Sequence, residues 1–206
     1  MRSDNSPEGQ RTFVDVARRA QLVDCAISAI AEVGLTRASL AEIGKRAGLS
    51  KAAILYHFAG RDELIGEVVM TVLRRGAEYM AARMPAEPTP PEELRSYIES
   101  NVEYVAAHRD DVKVLVAIAV GFTDGDGKSK LDADASVYDA SLAPLRDILG
   151  RGQAEGHFGE FDTRTTAMTI RAAIDAIGPQ LTAVPELDLA AYARELVALF
   201  ERATAR

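Results

Sequence analysis

The sequence predicts an all-α fold: an N-terminal three-helix helix-turn-helix domain and a C-terminal helical domain, about nine helices together. Three observations carry this. Apolar residues recur at three- and four-residue spacing in one segment after another, and capping residues and glycines bracket those segments. No stretch alternates polar and apolar as a half-buried strand would, and no internal repeat or heptad run occurs. The expected division is a flexible tail at 1–10, a helix-turn-helix domain at 11–60 and a second helical domain at 61–206.

The tail, MRSDNSPEGQ, is polar and carries Pro7 and Gly9; a DNA-touching arm through Arg2 and Arg11 is the less economical reading. From Arg11, Val16, Ala20, Val23, Ile27 and Ile30 form a helical stripe that Gly34 ends. Ser39 and Glu42 have capping-box spacing and open a second helix with Ile43 and Ala47 inward. Gly48 breaks that helix because the turn calls for positive φ; Leu49 plugs the turn, and Ser50 caps a third helix to about Tyr56. A fourth helix runs from Gly60 to about Arg83, with Asp62 and Glu63 suited to its positive end.

The prolines between Met84 and Glu92 mark a boundary. Helices are then expected from Thr89 to His108, from Val112 to Phe122 (apolar nearly all round and so buried in the second domain), from Asp132 to Glu155 with a kink at Pro144, from Asp162 to Leu181, and from Asp188 to Ala205. The loop TDGDGKSK from Thr123 resembles a calcium loop only superficially. Ser129 stands where glycine is needed, and no Glu closes the span.

Composition sets the class. Hydrophobic residues make up 48% and charged residues 27%, as in a folded soluble protein. The net charge of −7 argues against a nucleic-acid partner until it is divided. Residues 1–61 hold nine Lys and Arg against six acids, a net +3, and residues 62–206 hold 15 against 25, a net −10. Only the N-terminal part suits a polyanion. The lone Cys25 has no disulfide partner and sits among apolar residues, so a cytoplasmic protein with a small buried hydrophobe there is the economical reading. No signal peptide and no membrane span is expected.

Two helices joined by a short glycine-bearing turn are the helix-turn-helix unit, whose second helix enters the DNA major groove. Residues 11–65 moreover resemble the N-terminal domain of TetR-family transcriptional regulators. The resemblance rests on the Gly34 stop, on Ala47-Gly48-Leu49-Ser50, and above all on Lys51-Ala52-Ala53-Ile54-Leu55-Tyr56-His57-Phe58 followed by Arg61-Asp62-Glu63-Leu64. It covers about a quarter of the chain, and the remainder matches only in helix count and order.

The resemblance implies that Ser50, Lys51, Ala52 and Ala53 face base edges and the adjoining backbone. Tyr56 and His57 would meet phosphates or nearby bases, and Arg61 would grip the backbone; Arg37 and Ser39 complete the expected DNA-facing set. Physical chemistry suits these roles, since Lys51 can donate to guanine or phosphate and two alanines permit close approach. Three positions depart from the family pattern: Ala53 where Thr is common, Leu55 where Tyr is common, and Ala41 where Arg is common. Phe58 belongs in the core.

The function implied is a homodimeric repressor released from a pseudo-palindromic double-stranded DNA operator by an unknown small-molecule effector. The resemblance places the dimer interface on the last two predicted helices, through Ile170, Ile174, Ile177, Leu181, Leu189, Tyr192, Leu196 and Leu199. Packing within one subunit would produce the same stripes. Met80, Tyr97, Tyr104, Phe122, Tyr138, Met168, Arg171 and Asp175 are the expected ligand residues, although plain core packing explains most of them. Arg171 and Asp175, four apart, also fit an intrahelical ion pair.

Two other classes stand beside this reading. A small α-helical enzyme would use His108, His157 and nearby acids, but no HExxH or paired Glu-x-x-His motif occurs, and Gly152, Gly156 and Gly159 follow no strand. No metal, cofactor or catalytic residue is therefore expected. A helical interaction module that binds no DNA leaves the Lys51 to Arg61 pattern unexplained.

Overall fold

The caps seen in the sequence set the helix starts. Ser39 Oγ accepts from the Glu42 N–H at 3.2 Å, and Ser50 Oγ from the Ala53 N–H at 3.1 Å. Asp162 and Asp188 do the same for the Thr165 and Ala191 N–H groups at 2.7 and 2.9 Å. Glu92 reaches back to both the N–H and the hydroxyl of Thr89.

The computed structural model describes the backbone of residues 7–124, 126, 128, 130 and 135–206, and the side chains of 14–124, 126, 128, 130 and 142–206. Within them run α1 (Pro7–Val33), α2 (Leu40–Ala47), α3 (Lys51–His57), α4 (Arg61–Ala81), α5 (Pro90–Ala107), α6 (Arg109–Gly121), α7 (Ala135–Ala154), α8 (Thr163–Asp175), α9 (Ile177–Ala183) and α10 (Leu189–Thr204). Apart from a single bridge residue at Thr123, the described residues form no strand, so the fold is all-α. None of these helices is long and apolar enough to cross a membrane.

Three boundaries differ from expectation. The first helix begins at Pro7, inside the stretch read as tail, because a proline in the first turn lacks only an N–H that would be unpaired anyway. The expectation for residues 1–6, Arg2 included, lies outside the described residues. α6 begins at Arg109, one residue after α5 yields to His108. The helix expected from Asp162 to Leu181 is two, α8 and α9, separated by Ala176. Pro179 explains the break: it cannot donate to the Asp175 carbonyl four residues back, and its ring crowds that carbonyl.

The chain packs as two units, residues 1–73 with 113–131, and residues 74–112 with 132–206. In the first, Leu22, Ala26 and Ile30 of α1, Ile43 of α2, Ile54 of α3, Phe58, and Leu64, Ile65 and Val68 of α4 share one core. Val114, Ile118 and Phe122 join that core, so the C-terminal part of α6 belongs to the first unit and not, as expected, to the second. Beyond α6 the loop returns to the first turn of α4, where Lys130 pairs with Asp62 at 2.8 Å. In the second unit, Leu94 and Ile98 of α5, Leu145 and Leu149 of α7, Ile170 and Ile174 of α8, and Leu196 and Phe200 of α10 make the main core.

Candidate nucleic-acid interface

Two glycines shape the turn between α2 and α3. Gly48 adopts φ 66°, a left-handed conformation that costs other residues energy. Gly44 is needed for a different reason: a Cβ there would lie 2.6 Å from the Leu49 carbonyl oxygen, which no real contact allows. The Leu49 N–H donates to the Gly44 carbonyl at 2.8 Å, so the chain reverses tightly and brings α3 across α2.

This turn directs Ile54 and Phe58 into the core, with Leu49 packed against it, and the opposite face of α3 is left bare. Lys51, Ala52, Leu55 and Tyr56 are exposed on it, Tyr56 by 84%. The Lys51 ammonium and the Tyr56 hydroxyl have no hydrogen-bond or ion-pair partner among the described residues. An exposed seven-residue helix with an N-terminal lysine, a small residue and a tyrosine can lie in a groove and meet base edges and phosphates at once.

The rest of the expected DNA-facing set divides. Ser39 and Ser50 are exposed caps whose hydroxyl oxygens already accept from their own helices, and Ala53 is half-buried. His57 and Arg61 turn inward. His57 Nδ1 lies 2.6 Å from Asp15 Oδ1 on α1, and Arg61 donates to the Leu35 and Ala38 carbonyls, tying the start of α4 to the loop between α1 and α2. Arg37 donates to the Val33 carbonyl at 2.8 Å at the end of α1. As folded, His57 and Arg61 brace the unit, whereas Arg37 stays exposed with only its Nε engaged.

The brace that the sequence reading missed is Arg19. Its guanidinium donates to the His57 carbonyl, pairs with Glu63 at 3.2 Å, lies 3.7 Å from Glu67 and sits 4.1 Å over the Phe58 ring. One side chain on α1 thus fixes the end of α3 and the start of α4. The Glu63 carboxylate also accepts from the Ala59 N–H at 2.6 Å; that bond, and then Arg19, hold it below the usual glutamate value. Nothing near Arg19 in the sequence announces these contacts, whose partners lie about forty residues on.

These pairings adjust the charge argument. Counted by packing unit, the first holds 12 Lys and Arg against 11 acids, a net +1, and the second 12 against 20, a net −8. Much of the acid in the first unit is neutralised internally: Glu32 and Glu42 by Arg46 at 2.8 and 3.1 Å, Glu63 by Arg19, Asp62 by Lys130. Cys25 is half-buried, and burial, then Asp24, push its thiol up, as expected of a packed residue rather than a reactive one.

Comparison with known proteins bears on the same segment. Residues 22–68 match the family described as "Bacterial regulatory proteins, tetR family". The HTH-type transcriptional regulator BetI of Cronobacter sakazakii is 30% identical over 141 residues, 66% of this chain and 70% of that one. The chain belongs to the TetR family. BetI of Stenotrophomonas maltophilia is 32% identical over 91 residues, 44% of this chain and 46% of that protein. The chain thus spans about half the length of BetI of Stenotrophomonas maltophilia. The FadR regulator of Bacillus subtilis, solved in complex with stearoyl-CoA, superposes with a TM-score of 0.72 at 19% identity, over 87% of this chain and 96% of that one.

For a TetR-family chain the second unit departs most from what the sequence suggested. Arg171 donates to the Tyr97 hydroxyl at 3.2 Å, to Asn101 Oδ1 at 3.1 Å and to Asp175 at 2.7 Å. Tyr97, Arg171 and Asp175 therefore do meet, joined by Asn101, which the sequence reading omitted. Met80 is half-buried near the end of α4, and Met168 packs on the main core with its sulfur 3.6 Å from Arg164. Tyr104 is buried, donates to Asp111 at 2.6 Å and stacks on His108; burial and that bond raise its hydroxyl pKa. Phe122 stands apart in the core of the first unit, and the Tyr138 side chain lies outside the described residues.

Most residues expected at the dimer interface pack inside the subunit. Ile170, Ile174, Ile177, Leu189 and Leu196 are buried inside the subunit, Leu181 packs on the small core beside Val102, and the Tyr192 hydroxyl donates to the Ala173 carbonyl. Leu199, 50% exposed, is the member of the set that faces outward. The stripes are wide because α5 and α7 cover them within one subunit. A groove between α5 and α10, lined by Val102, Ala106, Leu189 and Ala193, holds none of the expected ligand residues and, of the expected interface residues, Leu189.

Proposed function

We propose that the protein is a homodimeric repressor that binds a pseudo-palindromic DNA operator through α3 and leaves it when a small molecule binds the second unit. The observation that carries the reading is the bare outward face of α3, with the Lys51 ammonium and the Tyr56 hydroxyl free of hydrogen-bond partners among the described residues of the unit of net positive charge. One such helix touches too little DNA to select a site in a genome, so two copies related by a two-fold axis are needed, their recognition helices about 34–36 Å apart or a multiple of that. The partner copy would meet the outward sides of α8 and α10, where Leu199 is exposed, since the inward sides are already covered.

The effector site is proposed around Tyr97, Asn101, Arg171 and Asp175, the polar cluster of the second unit. That the Bacillus subtilis relative in fold was solved with stearoyl-CoA supports the expectation of a bound ligand. The ligand would act through α4, whose residues 61–73 pack in the first unit and 74–81 in the second, by shifting its tilt and with it the spacing of the two heads. The test is selection from a random-sequence duplex pool. Enrichment of an inverted repeat, bound by two copies of the chain, is expected; enrichment of nothing above background would refute the proposal.

A further inference from the structure

The DNA-binding reading leaves one feature of α3 without a role. Leu55 is 43% exposed, although Ile54 beside it and Phe58 three residues on are fully buried. With Ala52 and Tyr56 it forms a small apolar patch on the outward face, next to the Lys51 ammonium. A leucine there can neither bind phosphate nor hydrogen-bond a base edge. What it can recognise in a major groove is the one apolar group a base pair displays, the 5-methyl of thymine.

Resting on the DNA-binding proposal above, we infer that Leu55 is a specificity-determining residue that reads a thymine methyl in each half-site, with Ala52 permitting the close approach. Position 55 thereby exchanges a tyrosine's polar reach for discrimination by apolar contact. The thymine it meets lies near the position read by Lys51, because the two side chains stand on adjoining parts of one helix face. The preference is for the methyl itself: uracil, with the same hydrogen-bonding edge, is the poorer partner.

The experiment uses the full-length protein and the duplex it selects from a random pool, with each thymine replaced in turn by deoxyuridine. One symmetric thymine pair is expected to show a loss of about fourfold for each methyl removed, the worth of one methyl-sized apolar group leaving water. The Leu55→Ala variant should bind the thymine and uracil duplexes alike, with unchanged melting, while Leu55→Val keeps part of the difference. If no thymine shows more than a twofold uracil effect with the unaltered protein, the inference is overturned whatever the variants do. It is equally overturned if the effect persists in folded Leu55→Ala. Failure to enrich any duplex removes the DNA-binding proposal itself, an outcome distinct from both.

Discussion

In the first unit Ser39, Ser50, Lys51 and Tyr56 have side-chain polar groups that either bond only to their own helix's first turn or have no hydrogen-bond partner among the described residues, whereas in the second the polar groups are bonded to one another across the fold. Ser39 and Ser50 close their own first turns, and the Lys51 ammonium and Tyr56 hydroxyl have no hydrogen-bond or ion-pair partner among the described residues, the Tyr56 ring meeting His57 edge-on. By contrast Arg171 reaches Tyr97 and Asn101 on α5, Arg151 reaches Glu93, and Arg95 reaches Glu201. A surface that waits for a partner keeps its donors free; a body that must hold shape pairs them. The brace of Arg19, His57 and Arg61 belongs to the second kind although it lies in the first unit.

The largest effect that would break this contrast is on DNA. Lys51→Ala with Tyr56→Ala is expected to weaken operator binding by about 100-fold or more, two contacts of about 1–3 kcal/mol each, while leaving the melting temperature unchanged. Gel-shift titration beside calorimetry checks both halves, and a fall in melting temperature would make the two residues structural.

Next in size is a pair of glycine substitutions. Gly44→Ala is expected to cost about 1–3 kcal/mol, because its Cβ meets the Leu49 carbonyl, a backbone atom that cannot swing away. Gly150→Ala on α7, where a Cβ meets nothing within 4 Å, should instead stabilise by about 0.5–1 kcal/mol. Denaturant unfolding of both variants measures the difference, and the same sign for both would count against the geometry of the turn.

Much of this was legible in the sequence because its causes are local. A serine three residues before the N–H it caps, a glycine at the end of α2 and a helical stripe on α1 are short-range facts, and they located α1 to α4 and the bare face of α3. The bonds of Arg61 and His57 were not legible for the opposite reason: they go to the Leu35 and Ala38 carbonyls and to Asp15, far away in the chain. Arg19 and Asn101 went unnoticed since nothing near them in sequence announces their partners. The stripes of α8 and α10 were visible, but an apolar stripe does not say whether its own subunit or another covers it. The placement of Val114, Ile118 and Phe122 in the first core is equally a tertiary fact.

Smaller effects sharpen the account of bracing. Tyr97→Phe removes one acceptor from Arg171 and is expected to cost about 0.5–1.5 kcal/mol in unfolding experiments, with no change in DNA affinity in the absence of effector. The smallest is a pH effect. Glu63 is held below its usual value of 4.5 in the folded chain, so the stability it contributes is present above that pH and lost as pH falls through its folded value. Glu63→Gln should therefore melt slightly below the parent protein at neutral pH, and the gap should close in acid. A gap that widens in acid would contradict the bonding of Glu63 to Ala59 and Arg19.

The most direct test of the central claim, that the face of α3 reads DNA, is the salt dependence of operator affinity for the parent protein and for Lys51→Ala. Affinity is expected to fall steeply as salt rises, and the slope of log affinity against log salt should be shallower by about one for each Lys51 removed. An unchanged slope in a folded Lys51→Ala variant would place the DNA elsewhere on the molecule.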